Sequence, residues 1–283
     1  MAISNTEKAE VLTQALPYIQ KYRDKIIVVK YGGGAMVTKA HQRSVMGDIV
    51  LLNQIGIRVV LVHGGGPEIN ETLQRMRIQP KFQNGLRVTD AETMDVVQMV
   101  LSGKVNKELV NLIGGAGGSA IGLSGLDGRM VEAKPLSAEL GYVGEVTKVN
   151  VKPILDLLDA GYIPVLSSVG CDKKGSVYNI NADTVAARIA GELKAMCLVS
   201  MTDTKGILRD PKDDATLISE VNVSEASHLI RDGIISGGMI PKVECCVEAI
   251  RRGVGRVFII DGRVPHAILI EALSDEGIGT MFF

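Results

Sequence analysis

No apolar run in this chain approaches the roughly 18 residues a membrane-spanning helix needs. The first residues, MAISNTEKAEVL, lack the basic stretch followed by an apolar core that marks an export signal. Cys171, Cys197, Cys245 and Cys246 show no C-x-x-C spacing, and the adjacent Cys245 and Cys246 are a poor pair for a disulfide. A reduced, cytoplasmic protein is the expectation. Charge of one sign is missing too: 31 Lys+Arg against 32 Asp+Glu leave a formal net charge of −1. No nucleic-acid or membrane partner is therefore expected, and any anion site has to be local. There is no internal repeat, no low-complexity segment and no obvious linker.

What the chain does have is apolar bulk. It has 283 residues, 46% of them hydrophobic, enough for one large domain or two lobes. Residues 5–22 predict a helix, since Ala9, Leu12, Leu16 and Ile19 recur at three- to four-residue spacing; Pro17 should kink it. From residue 25 the pattern changes. The β-branched run 25–30 ends at Gly32-Gly33-Gly34, and the run 58–63 ends at Gly64-Gly65-Gly66. Further short apolar runs occupy 120–123, 163–166, 196–201 and 256–260, with helical patterns between most of them. This alternation predicts an α/β fold: one continuous, mainly parallel sheet covered on both faces. The crossover between lobes is expected near 170–180, where residues 171–175 look like a hairpin turn.

Glycine at the carboxyl end of a parallel strand lets backbone N–H groups approach an anion, and the next helix adds its positive dipole end. Two such loops, each preceded by a polar strand-end residue (Lys30, His63), point to a phosphorylated ligand; tight turns without a ligand are the alternative. Competing motifs fail on context. No G-x-x-x-x-G-K-[ST] loop is present. The glycines at 115, 117 and 118 follow a helical pattern and precede a strand, the reverse of a dinucleotide fingerprint. An esterase oxyanion loop at His63 would need G-x-S-x-G, and residues 122–126 miss its last glycine.

Five segments occur in order: Lys30-Tyr31-Gly32-Gly33-Gly34, His63-Gly64-Gly65-Gly66-Pro67, Asn84-Gly85-Leu86-Arg87-Val88-Thr89, Asn179-Ile180-Asn181-Ala182-Asp183, and Gly237-Gly238-Met239-Ile240-Pro241-Lys242. They resemble the motif series of the amino acid kinase family, and within it the branch that phosphorylates N-acetyl-L-glutamate in arginine biosynthesis. The likeness runs from about residue 9 to the C-terminus. It implies a three-layer αβα sandwich around a mainly parallel open sheet. It also implies an N-terminal oligomerisation helix over 1–24, an N-lobe for the amino-acid substrate over 25–175, and a C-lobe for ATP over 176–283.

The reaction so implied suits the residues. A substrate side-chain carboxylate has a pKa near that of Glu, about 4.3, so it is ionised at neutral pH and needs no general base. What two approaching anions need is positive charge and positioning. By resemblance Lys30 and Lys242 supply the charge and Asp183 holds both ammonium groups. Gly32, Gly33, Gly64 and Gly65 cradle the phosphates and the transferring group, and Gly65 and Gly66, with Arg87 and Asn179, hold N-acetyl-L-glutamate. Asp203 and Gly206 touch the nucleotide, and Lys205 is an untypical residue in that segment. Mg²⁺ arrives on ATP and needs few protein ligands; no protein metal site is implied. Plainer readings stand beside these: solvated lysines, Asp183 as a helix cap or first-turn acid, and Arg87 in a surface pair with Asp90 or Glu92. His63 is read as orienting its loop.

The longer members of the family carry an extra N-terminal helix and form arginine-inhibited hexamers, trimers of dimers. Leu16-Pro17-Tyr18-Ile19 resembles that helix, and Tyr18, His266, Glu271, Gly277 and Gly279 match the arginine site. L-arginine is thus the expected inhibitor, and a nitrogen-sensing PII protein a possible partner. Carbamate, aspartate or glutamate 5-kinase activity, or a catalytically silent amino-acid-binding regulator, are the alternatives. Aspartate kinases usually carry extra C-terminal regulatory domains where this chain stops at Phe283, and Arg87 in its Asn-Gly-Leu setting favours the acetylated substrate; retention of Lys30, Asp183 and Lys242 argues against a silent regulator.

Overall fold

The computed structural model describes residues 4–36, 38–275 and 277–283. Two short helices, α1 (Asn5–Gln14) and α2 (Leu16–Tyr22), lead into strand β1 (Ile26–Tyr31). Then come α3 (Lys39–Gln54), β2 (Arg58–His63), α4 (Gly66–Arg75), the hairpin β3 (Lys81–Gln83) and β4 (Leu86–Val88), and α5 (Ala91–Gln98). A π-helical stretch, Met99–Val105, joins α5 to α6 (Asn106–Gly115). The chain continues through β5 (Ala120–Ser124), β6 (Val131–Pro135), β7 (Gly144–Val149), α7 (Lys152–Asp159), β8 (Ile163–Ser167), β9 (Val169–Cys171) and β10 (Val177–Asn179). The last third holds α8 (Ala182–Glu192), β11 (Cys197–Thr202), β12 (Ile207–Leu208), β13 (Leu217–Ile218), β14 (Glu220–Val221), α9 (Ala226–Arg231), α10 (Met239–Arg251), β15 (Arg256–Asp261), α11 (Ala267–Leu273) and β16 (Thr280–Phe282).

Among the described residues, eight strands form one sheet in the order β14-β16-β15-β11-β1-β2-β8-β5. Every neighbour pair is parallel except β15–β16. The expected α/β architecture is therefore the observed one. Strand residues alternate between two cores, as the period of two requires. Ile27, Val29, Val59 and Leu61 face the layer containing α3 and α6. Val28, Val60 and Val62 face the layer containing α8 and α10. Both faces of the central strands are covered, which is why β1 and β2 read as continuous apolar runs.

Three expectations change in detail. The helix over 5–22 is two helices broken at Ala15, and Pro17 lies in the first turn of α2, where its missing N–H costs nothing. Ser4 caps α1 in a capping box, yet α1 buries no residue. The 171–175 turn is indeed a hairpin between antiparallel β9 and β10. It belongs, however, to a separate four-stranded sheet, β10-β9-β6-β7, that the sequence pattern did not reveal. Strands β6 and β7 are amphipathic and partly exposed, so they lack the apolar runs that betray the central strands.

Candidate active site

Strands β1, β2 and β11 all end at one edge of the main sheet, where ligands bind in open α/β folds. Lys30 is the last polar residue of β1 and is 5% exposed. Its Nζ lies 3.0 Å from Asp183 Oδ1. Lys242, in the first turn of α10, places its Nζ 3.0 Å from Asp183 Oδ2. One carboxylate thus engages both ammonium groups, one on each oxygen. Burial alone would raise the Asp183 pKa; the charges of Lys30 and Lys242 and their hydrogen bonds overcome it and hold the group well below the usual carboxylate range. Burial likewise works against the charge on Lys242, and Asp183 more than restores it, so its pKa rises.

Asp183 is a first-turn acid of α8, as one plainer reading has it, but it is not the helix cap. Asn181 is the N-cap of α8: its Oδ1 accepts from Asp183 N–H at 2.8 Å and from Thr184 N–H at 3.4 Å. The Asp183 side chain is left free to meet the lysines. Ser200 on β11, paired in register with Lys30, donates to Asp183 Oδ1 at 3.2 Å. Sequence reasoning missed Ser200, although a lone hydroxyl inside the apolar run 196–201 was a signal.

The two glycine loops meet behind this cluster, where Gly64 N–H donates to Tyr31 O at 3.1 Å. Gly32 and Gly33 follow β1, with Gly33 at φ 62°. Gly65 caps α4 and Gly66 begins it, with Pro67 in its first turn. Asp203, just past β11, packs against the first loop: a Cβ on Gly34 would fall 2.5 Å from Asp203 Oδ2. Gly206 is held at φ 140° against Thr280, with no room for a side chain. Lys205 is engaged by Asp214.

Arg87 lies on β4 and is buried. Its Nη2 donates to Gly66 O at 3.3 Å, and its guanidinium lies 4.8 Å from the Phe82 ring centre. Its Nη1 is buried without a partner among the described residues. The surface-pair alternative is not what forms, because Asp90 instead caps α5 by accepting from Thr93 N–H at 2.8 Å. Asn179 Nδ2 donates to Thr89 Oγ1 at 3.2 Å, and Thr89 Oγ1 donates to Arg87 O at 2.9 Å. Thr89, another residue the sequence did not single out, so joins Asn179 to the Arg87 strand.

Tyr18, Glu271, Gly277 and Gly279 line a separate cavity of about 460 Å³ under α2. His266 does not line it. Its Nδ1 pairs with Asp48 Oδ1 on α3 at 2.6 Å instead.

Residues 25–261 match the amino acid kinase family, and that span holds both lysines, Asp183 and both glycine loops. The chain belongs to this family. Its relatives include the acetylglutamate kinase of Thermosynechococcus vestitus, 55% identical over 99% of this chain and 95% of that one. The acetylglutamate kinase of Clostridium beijerinckii is 54% identical over 99% of this chain and all of that one. Among solved structures, N-acetylglutamate synthase from Neisseria gonorrhoeae, with coenzyme A and N-acetyl-glutamate, superposes with a TM-score of 0.85 at 27% identity. The match covers 97% of this chain and 63% of the synthase chain. Carbamate kinase from Giardia lamblia bound to AMP-PNP shares the family fold, with a TM-score of 0.65 at 15% identity over 92% of this chain and 98% of that one.

Proposed function

We propose that this protein uses ATP to phosphorylate the side-chain carboxylate of N-acetyl-L-glutamate, forming N-acetyl-L-glutamyl 5-phosphate in arginine biosynthesis. The observation that carries the reaction is the pair of lysines held on one buried carboxylate beside two glycine loops. A substrate carboxylate oxygen bonds to the γ-phosphorus while the bond from that phosphorus to the bridging oxygen breaks, and ADP leaves. No proton has to move. The ammonium groups of Lys30 and Lys242 offset charge on the phosphoryl oxygens, and Asp183 keeps the two cations close despite their repulsion. Relatives that carry the acetylglutamate kinase name along nearly their whole length support this substrate. So does Arg87, whose unpartnered Nη1 suits the second, non-reacting carboxylate.

Mg²⁺ enters on the nucleotide and neutralises phosphate charge. The donor set fits an ion carried that way: Asp183 is already matched by two ammonium groups, so it is not left over as a metal ligand. In this reading residues 25–175 hold the acetylated amino acid, and residues 176–283 hold ATP through Asp203 and Gly206. A cytoplasmic location belongs to it as well. Among the described residues the cysteines are free, and no helix is long and apolar enough to cross a membrane.

Arginine feedback completes the proposal. The cavity lined by Tyr18 and Glu271 joins α2 to α11, so a guanidinium bound there couples the N-terminal helices to the C-terminal region. Leu12, Leu16 and Val11 are exposed on those helices and favour packing against another copy, in a hexamer. A PII-type protein remains a candidate partner of the same assembly.

ATP turnover with N-acetyl-L-glutamate, L-glutamate, L-aspartate and carbamate tests the reaction. Activity confined to the acetylated substrate is expected; preference for another acceptor, or none, overturns it. Native mass and arginine titration, before and after deleting residues 1–22, test the regulation. A full-length dimer, or full activity at millimolar arginine, overturns that part.

A further inference from the structure

Asn106 is fully buried at the junction of the π-helical stretch and α6, and the reaction above gives it no role. Its Nδ2 lies 2.9 Å from Val165 O, 3.2 Å from Leu123 O and 3.0 Å from His63 Nε2. The two carbonyl oxygens can only accept, so the atom facing them is the donating nitrogen. Its Oδ1 is buried without a partner among the described residues. The surrounding groups therefore use the donor side of this amide and not its acceptor. The fold makes room for it at Gly122, where a Cβ would fall 1.9 Å from Asn106 Oδ1.

Nδ2 carries two protons shared among three neighbours and cannot itself accept, so a protonated His63 Nε2 at 3.0 Å would meet it N–H against N–H. Nε2 is therefore the bare, accepting nitrogen, and the ring proton resides on Nδ1. Nδ1 in turn lies 2.9 Å from Gly64 O, to which it donates. Burial pushes the His63 pKa down to about 4, with Lys107 adding to the shift against the Gly64 bond, so the ring is neutral. In a planar trans peptide the Gly64 carbonyl and the Gly65 N–H point opposite ways. Holding that carbonyl against the buried ring therefore aims Gly65 N–H away from it. The π-helical stretch backs the same loop: a Cβ on Gly65 would lie 2.8 Å from Leu101 Cδ2 and 3.1 Å from Val105 Cγ2.

We propose that Asn106 is a positioning residue for phosphoryl transfer: by donating to His63 Nε2 it locks the Nδ1–H tautomer that sets the peptide orientation of the second glycine loop. The inference rests on the reaction proposed above, with Gly65 on the transferring group. Two measurements test it. Nitrogen-15 NMR of wild-type His63 between pH 6 and 8, without substrate, is expected to show a neutral ring protonated on Nδ1. The Asn106→Leu variant, if it melts cooperatively near the wild-type temperature, is expected to lose on the order of tenfold to a hundredfold in kcat with KM for ATP little changed. A wild-type ring protonated on Nε2, or a folded variant with wild-type kcat, overturns the proposal. Should the variant fail to fold, the wild-type spectrum decides by itself. No turnover by the wild-type protein would strike the reaction, while the tautomer stays readable.

Discussion

Asp183 and Glu271 are both largely withdrawn from water, and the chain treats them in opposite ways. Asp183 receives two lysines and a serine hydroxyl, and its pKa ends low in spite of burial. Glu271 has no salt bridge among the described residues; it accepts Ile278 N–H at 2.9 Å, and burial leaves its pKa raised. The first carboxylate is completed by its own fold and holds other groups in place. The second retains capacity for a cation from outside, beside a cavity. On the proposed reading, the first region holds its charges fixed through a catalytic cycle and the second responds to a ligand.

Breaking the first region should cost most. Lys242→Met is expected to lower kcat about a thousandfold with little change in folding, because it removes charge felt chiefly in the transition state. Asp183→Asn should be comparably severe, since two ammonium groups then face each other unneutralised. Steady-state kinetics checked against thermal melts will decide; more than a tenth of wild-type activity in the Asn variant would reduce Asp183 to a structural role.

Arg87 comes next, because it resembles Glu271 in having an unused capacity, its Nη1. Loss of a charge-assisted pair there is worth on the order of 2–3 kcal/mol. Arg87→Ala should therefore raise KM for N-acetyl-L-glutamate about 30- to 150-fold, with KM for ATP nearly constant. Equal effects on both substrates would move Arg87 out of the acceptor site.

The smallest effect sharpens the contrast through pH. A depressed pKa, as in Asp183, contributes stability above the usual carboxylate range and loses it as pH falls through the folded value. A raised pKa, as in Glu271, contributes stability at low pH and loses it as pH rises through the folded value. Glu271→Gln should thus melt at or slightly above the wild-type temperature at pH 8, with the gap closing toward pH 4. The same variant should need about tenfold more arginine for half-inhibition. A variant that melts lower at pH 8 than wild type would mean that a cation already pairs with Glu271.

Much of the site was legible because its residues occupy marked places on a simple pattern. Lys30 and His63 close apolar runs at glycine loops, so their neighbourhood at one sheet edge follows from parallel pairing, whereas Asp183 was marked by the family resemblance. Thr89, Ser200 and Asn106 were not legible in that way. They are ordinary polar residues whose roles come from partners 90, 17 and 43 positions away in the chain. His266 illustrates the reverse case: the family resemblance grouped it with Glu271, while its αL backbone and its pair with Asp48 keep it out of the cavity lining.

The sequence by itself determined the parallel sheet and its glycine loops. Hydrophobic periodicity and glycine placement are local properties that a chain displays before it folds. Only the tertiary structure decided that Asn181 caps α8 and thereby frees Asp183 for two lysines. It alone broke the N-terminal helix at Ala15 and added a second sheet built from amphipathic strands. Those outcomes depend on which buried donors and acceptors find each other across long sequence separations, because an unpaired polar group in the interior is costly and the fold resolves such groups together.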